Sequence, residues 1–385
     1  NTIAGKTAGV VTATLASTAA ADLASLSTAA TDVITVPVSD TISVSALNTL
    51  AGKTAGVVTA TATTGDTASF SSLATDSNDV ITININDNPS VSALNTIAGK
   101  TAGVVTATLA STAKADLVAL STASTDVITV PVSDTVSVTE LNTIAGKTGG
   151  PVTATVTTGN TASFSALATD SNDIITINIS DNPSVADLNT IAGKTAGVVT
   201  ATLATGNTAS YSALSTAATD VITININDNP SVTNLNTIAG KTAGVVTATL
   251  ATGALSTFSA LSTSGTDQIT INVNDADGVD LNATDLSALG AKTAAAVNVT
   301  EAVDISGTTA EVTAALVTAG SLVLVADANV SISDNPTISE LNDIAAKTTG
   351  VVTATLASTA AADLASLDTA ATDVITIPVS RLTTI

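Results

Sequence analysis

Apolar and polar residues alternate along this chain in short runs, and each run follows a pair of leucines or isoleucines set three apart. In Val80-Ile-Thr-Ile-Asn-Ile-Asn-Asp87, residues Ile81, Ile83 and Ile85 share one face and Thr82, Asn84 and Asn86 the other. That period of two predicts a strand with one buried face. The run after Val10 repeats it, with Val11, Ala13 and Leu15 opposing Thr12 and Thr14. Upstream of the runs, Leu47-Asn-Thr-Leu50 and Leu94-Asn-Thr-Ile97 place apolar residues on one face of a short helix. Ser43 or Ser45, and Ser90 or Ser92, are positioned to cap that helix. Gly56, Gly103 and Gly197 are expected to end the turn before the strand. Pro37 and Pro131 stand inside strand runs, so each is expected where the ladder is already ending.

The helix-then-strand pattern is itself repeated. Both Leu23-Ala-Ser-Leu26…Val33-Ile-Thr and Leu47-Asn-Thr-Leu50…Val57-Val-Thr obey L-x-x-[LI]-x6-[VI]-[VI]-T, at a spacing of 23–24 residues. Two such halves make a 47-residue repeat, marked by Lys6, Lys53, Lys100, Lys147, Lys194 and Lys241, with longer steps of 51 to Lys292 and 55 to Lys347. Periods of this length indicate a solenoid, because no single unit can bury its apolar face alone. The expected fold is an α/β repeat solenoid with parallel β-sheet rungs and short helices. It forms one solenoid over residues 1–385, with copies beginning near 1, 48, 95, 142, 189, 236, 287 and 342. The seventh copy, about residues 276–330, is irregular and carries insertions: either a degenerate repeat or a small lateral contact site. A 47-residue coil could hold two strands, but the near-equality of the halves favours one helix and one strand per coil. That gives about sixteen rungs, with strands about 4.8 Å apart. The only aromatics, Phe70, Phe164, Tyr211 and Phe258, occupy the position where other copies carry Leu23 or Leu117, which places them in the core.

Composition narrows the chemistry. There is no His, Cys, Met or Trp, so imidazole acid–base catalysis, thiol nucleophiles, Cys/His zinc sites and disulfides are all excluded. The net charge of −22 repels nucleic acid and anionic lipid, and no run is long and apolar enough to insert in a membrane. A hydrophobic fraction of 45% separates the chain from acidic disordered sequences. It starts without Met, inside a repeat, and so reads as a processed product or a piece of something longer.

Three recurrent motifs invite a functional reading. Gly99-Lys100-Thr101 ends like a phosphate-binding loop, but Leu94 stands where such a loop needs its first glycine. Aspartates recur before the strands (Asp32, Asp79, Asp126, Asp173, Asp220, Asp267, Asp373) and after them (Asp40, Asp87, Asp134, Asp181, Asp228, Asp275, Asp334). Their oxygens suit either turns and helix caps or calcium. Asp40, Asp87, Asp134, Asp181, Asp228 and Asp275 form the candidate calcium column. Thr-Ala-Thr recurs as at Thr59/Thr61 and Thr106/Thr108. It resembles the T-x-T face of β-solenoid ice-binding proteins, or it is simply the common polar filling of exposed strand faces.

Segments such as SVSALNTLAGKTAGVVTATATT and DVITVPVSD resemble the long Thr/Ala/Val-rich, cysteine-free repeat tracts of giant secreted bacterial surface proteins, including those of cyanobacteria. The resemblance covers nearly all of the chain and implies an exported adhesin, surface-layer or filament protein. The expected function is therefore structural and non-enzymatic: an extracellular or cell-surface rod that joins copies of itself head-to-tail. The spacing after Ser380 would set the next copy about three residues out of step. The alternatives are the stalk of a large adhesin, calcium-stabilised and contacting cell-surface polysaccharide, or ice binding through the threonines.

Overall fold

The computed structural model describes residues 1–358 and 360–378. It divides into two compact units, Asn1–Asp181 with Thr190–Val199, and Asn182–Asn189 with Thr200 onward. Each unit is a parallel α/β solenoid, as the repeat predicts.

In the first unit the strands are β1 (Thr12–Thr14), β2 (Val33–Ile42), β3 (Val58–Ala62), β4 (Val80–Asn84), β5 (Val105–Thr108), β6 (Val127–Val136), β7 (Val152–Val156) and β8 (Ile174–Asn178). Each pairs in parallel with the next along the chain, so a coil holds one helix and one strand. Helices alternate between two turns, such as Val44–Ala51 and Val91–Ala98, and one turn, such as Thr67–Ser71. Ser43 and Ser90 cap the long helices, accepting from Ala46 N and Ala93 N. Leu94 and Ile97 of the helix and Ile81, Ile83 and Ile85 of the strand are buried together. Phe70 and Phe164 lie fully inside, as expected, and Tyr211 and Phe258 do the same in the second unit.

The rungs do not stack in line. Ala60 pairs with Ile81, 21 residues on, and Ile83 with Val105, 22 on, which makes 43 residues of register against a repeat of 47. Equivalent residues therefore slip along the strand by four positions in every two coils. At about 4.8 Å between strands and 3.3 Å per residue, this puts equivalent points about 16 Å apart per repeat, instead of about 10 Å. The helices give the reason, because a helix about 10 Å across cannot stack at one strand spacing per coil. Slipping the strands opens the coil spacing to about 8 Å without breaking the ladder.

The slip also breaks up the threonines. Thr61 pairs with Thr82, but Thr59 pairs with Val80, and the register of Ile83 with Val105 sets the exposed Val104 beside Thr82. The Thr-Ala-Thr segments form pairs bounded by valine, not one ranked array.

Pro37 and Pro131 lie inside ten-residue strands, at the point where the register shifts. Thr18 N donates to Pro37 O, so the parallel pattern would bring an N–H at position 37 to Ala16 O. Proline has none, and Thr18 Oγ1 donates to Ala16 O instead, at 2.7 Å. Thr112 does the same for Ala110 O beside Pro131.

In the second unit β9 (Val199–Thr202), β10 (Val221–Asn225), β11 (Val246–Thr249) and β12 (Gln268–Val273) continue the pattern. The irregular copy then widens the coil. Ile271 pairs with Val297 and Val297 with Val323, each 26 residues on. The longer coils carry a second line of strands. β12, β14 (Val297–Val299) and β16 (Val323–Val325) form one line. β13 (Asp280–Asn282), β15 (Asp304–Gly307), β17 (Asn329–Ile332), β18 (Val352–Thr355) and β19 (Val374–Thr376) form the other.

Candidate functional site

The residues that looked most like chemistry converge on the seam between successive coils. In Gly99-Lys100-Thr101, Gly99 is the helix C-cap, in a right-handed conformation. The Lys100 ammonium reaches back to the short helix of the preceding coil and donates to Ser71 O at 2.8 Å and Leu73 O at 2.6 Å. These are carbonyls that a helix C-terminus leaves unpaired, and a cation is favoured there. Lys194 treats Ser165 O and Leu167 O alike, and Lys53 bonds Leu26 O.

Thr101 is the centre of the joint and is 8% exposed. Its Oγ1 accepts from Ile81 N at 2.7 Å and from its own Gly103 N at 2.8 Å, and its hydrogen lies within reach of Ile81 O and Asp79 O. One hydroxyl thus ties the turn to the strand of the coil before it. Thr54, Thr148, Thr195, Thr242 and Thr293 repeat the contact to the isoleucine N–H of their preceding coils.

The glycine two residues further on ends the turn before the strand, as its sequence context suggested, and the structure adds why it must be glycine. Gly56, Gly103 and Gly197 lie against the neighbouring strand, where a Cβ would stand 2.4–2.5 Å from the carbonyl oxygen of Ile34, Ile81 and Ile175. None has a positive φ, so glycine is needed for space and not for backbone freedom.

Both aspartate columns complete the seam. Buried Asp79 accepts from Val58 N of the preceding strand at 2.8 Å and from Asp76 N of its own turn. Asp32, Asp126, Asp173 and Asp267 are held in the same way. The candidate calcium column caps helices. Asp40 accepts from Ala20 N, Asp87 from Thr67 N, Asp134 from Lys114 N, Asp181 from Thr161 N, Asp228 from Thr208 N and Asp275 from Leu255 N, at 2.7–2.9 Å. Each of these helices belongs to the coil before, so the cap is also a joint. Equivalent carboxylates about 16 Å apart lie beyond a Debye length at 0.15 M salt, so their mutual repulsion is screened. Among the described residues no three acidic groups come together to hold a metal.

Sequence reasoning passed over the asparagine of the Leu-Asn-Thr segment. Asn95 Nδ2 donates to Ala119 O and its Oδ1 accepts from Ser121 N of the following coil; Asn48, Asn142 and Asn236 do likewise. Its recurrence inside a helix, where asparagine is a poor former, was the available signal.

Two consequences can be measured. Lys100→Ala removes one exposed and one half-buried contact but leaves the threonine, aspartate and asparagine joints in place, so the melting temperature is expected to fall by no more than about 2 °C, the equivalent of under 1 kcal/mol. Acid should act more strongly. Hydrogen bonds from Thr161 and Thr208 lower the carboxyl pKa of Asp181 and Asp228, and bonds from Ser137, Thr308 and Thr337 lower those of Glu140, Glu311 and Glu340. A lowered folded pKa contributes stability that is present above the unfolded value of about 4 and lost as pH falls through the folded one. Burial raises Asp267 and acts in the opposite sense, but the caps outnumber it. Circular dichroism melts should be level from pH 7 to about 5 and fall below about 4.

No protein-family model, curated protein or solved structure matches the chain. No helix among the described residues is long and apolar enough to cross a membrane.

Proposed function

We propose that this chain is a structural, extracellular repeat protein whose coils join head-to-tail into a filament or surface layer, and that it is not an enzyme. One observation carries the reading. Successive coils meet through the same threonine, aspartate and asparagine joints throughout the regular copies, and Lys53, Lys100 and Lys194 add a lysine contact to them. The face one coil offers is therefore the face its neighbour is built to accept. A joint of that kind made between two chains is heterologous and propagates into an open fibre. The recurrent polar side chains serve the joints, which leaves no converging set of nucleophile, base and oxyanion donor among the described residues. The three-residue offset expected at such a junction rests on spacing after Ser380, which lies outside the described residues.

The charge of −22 opposes association at low salt. Sedimentation of the chain is expected to show fibres that lengthen from 10 mM to 0.5 M NaCl, with negative-stain images showing thin filaments. A monodisperse monomer at every salt and concentration would instead favour an adhesin stalk bearing its binding element elsewhere and contacting cell-surface polysaccharide. The second reading draws on the irregular copy, whose wider coils interrupt an otherwise uniform surface.

A further inference from the structure

The irregular copy widens the recess between a one-turn helix and the two-turn helix that follows it. In the first unit the recess between the helices Ala20–Leu23 and Val44–Ala51 encloses about 210 Å³ and is bordered by Ala20, Ala24, Ala46 and Thr49. In the second unit the corresponding recess, between the helical turn Leu255–Phe258 and the helix Ala283–Gly290, encloses about 520 Å³. The sequence supplies the cause. Lys292 follows Lys241 by 51 residues instead of 47, and the insertion includes Gly278, the only glycine with a positive φ among the described residues. The volume is within the range of small-molecule sites.

Its lining is chemically divided. Phe258, Leu261, Leu281 and Leu289 are buried and give an apolar floor. Asp275, Asp280 and Asp285 border it. Asp285 stands seven residues before Lys292, a first-turn helix position that regular copies fill with Ala46 and Ala93 but also with Glu140 and Asp187. Asp280, twelve before Lys292, stands where regular copies carry Thr41, Asn88 or Thr135, so Asp280 is the carboxylate added at this rim. Lys292 borders the groove two helical turns, about 10 Å, from Asp285. Three carboxylates against one ammonium leave the rim with two net negative charges, and the lysine end sets a direction.

We propose that this groove binds a small organic cation with an apolar body, its ammonium or guanidinium group at the Asp280/Asp285 end and its hydrocarbon on the leucine floor. The proposal goes beyond the assembly reading and does not depend on it. Apolar burial supplies attraction without direction, and the carboxylates select charge and orientation.

Tryptamine is a suitable probe, because the chain has no Trp and one Tyr and the indole is read by fluorescence anisotropy without background. At 0.15 M NaCl, tryptamine is expected to bind saturably and one-to-one. The neutral analogue tryptophol should bind at least tenfold more weakly, and indole-3-propionate should not bind. Asp280→Asn with Asp285→Asn should reduce tryptamine to the tryptophol level, and Ala288→Phe, which fills the groove, should abolish both. Melts of each variant confirm that it is folded, and the two variants fail independently. Equal affinity for the three probes, no saturation, or binding unchanged in both variants would overturn the proposal and leave only diffuse attraction to an acidic surface.

Discussion

Replacing Gly56 by alanine is expected to unfasten two coils. A Cβ at this position would stand 2.5 Å from the backbone of Ile34. The obstacle is the carbonyl of a paired strand and not a movable side chain, so relief requires the coils to separate. Separation would stretch the Thr54 bonds to Ile34 N and O, both 2.8 Å, and the pairing of Val36 with Val58. The cost is about 3 kcal/mol or more. Gly52, four residues earlier, is the control. It is right-handed at φ −65°, and a Cβ there meets nothing closer than 3.4 Å. Ala346 and Ala291 already occupy that position in later copies. Gly52→Ala should therefore be neutral or slightly stabilising, while Gly56→Ala adds an early transition in a thermal melt. The copy that does carry alanine at the Gly56 position, at Ala295, is the irregular one, where the register widens to 26 residues.

Ile97→Asp should have an effect at least as large. Ile97 is wholly buried on the inner face of the helix Val91–Ala98, which carries no basic residue. A carboxylate there would be either charged and unpaired or neutral at the expense of a strongly raised pKa, at a cost of about 4 kcal/mol. Solenoid stability is a sum of local terms, so the loss should be confined to neighbouring coils. Limited proteolysis is expected to cut near residue 97 first, and distant coils should remain folded. Uniform loss of all structure at one midpoint would show that the coils are more strongly coupled than these joints explain.

The fold was legible in the sequence wherever periodicity carried it. The alternation in Val80–Asn84 and the three-residue spacing of Leu94 and Ile97 fixed the strand, the helix and the coil length, because burial of one face imposes those periods directly. The position of Phe70 and its counterparts followed from substitution by leucine between copies. The slip between strands was not legible. It follows from a mismatch between helix width and strand spacing, which no local pattern encodes. The reason for glycine at Gly103 was not legible for a related cause: the clash that excludes a side chain is with Ile81, 22 residues away. Of the candidate site, Leu94 told against a nucleotide loop, and the sequence offered capping beside calcium for the aspartates. It did not reveal that Asp87 caps a helix of the preceding coil, since the 20-residue separation from Thr67 becomes contact only after coiling.

The account rests on the claim that the Gly-Lys-Thr segment is a joint between coils. Thr101→Val keeps the shape of the side chain and removes its hydroxyl, leaving Ile81 N, Ile81 O and Gly103 N without their partner, a loss of about 1–3 kcal/mol. Hydrogen–deuterium exchange read by mass spectrometry resolves where that loss falls. Peptides covering residues 79–85 and 101–107 should exchange at least tenfold faster in the variant, with peptides two coils away unchanged. Unchanged exchange across both peptides would contradict the account.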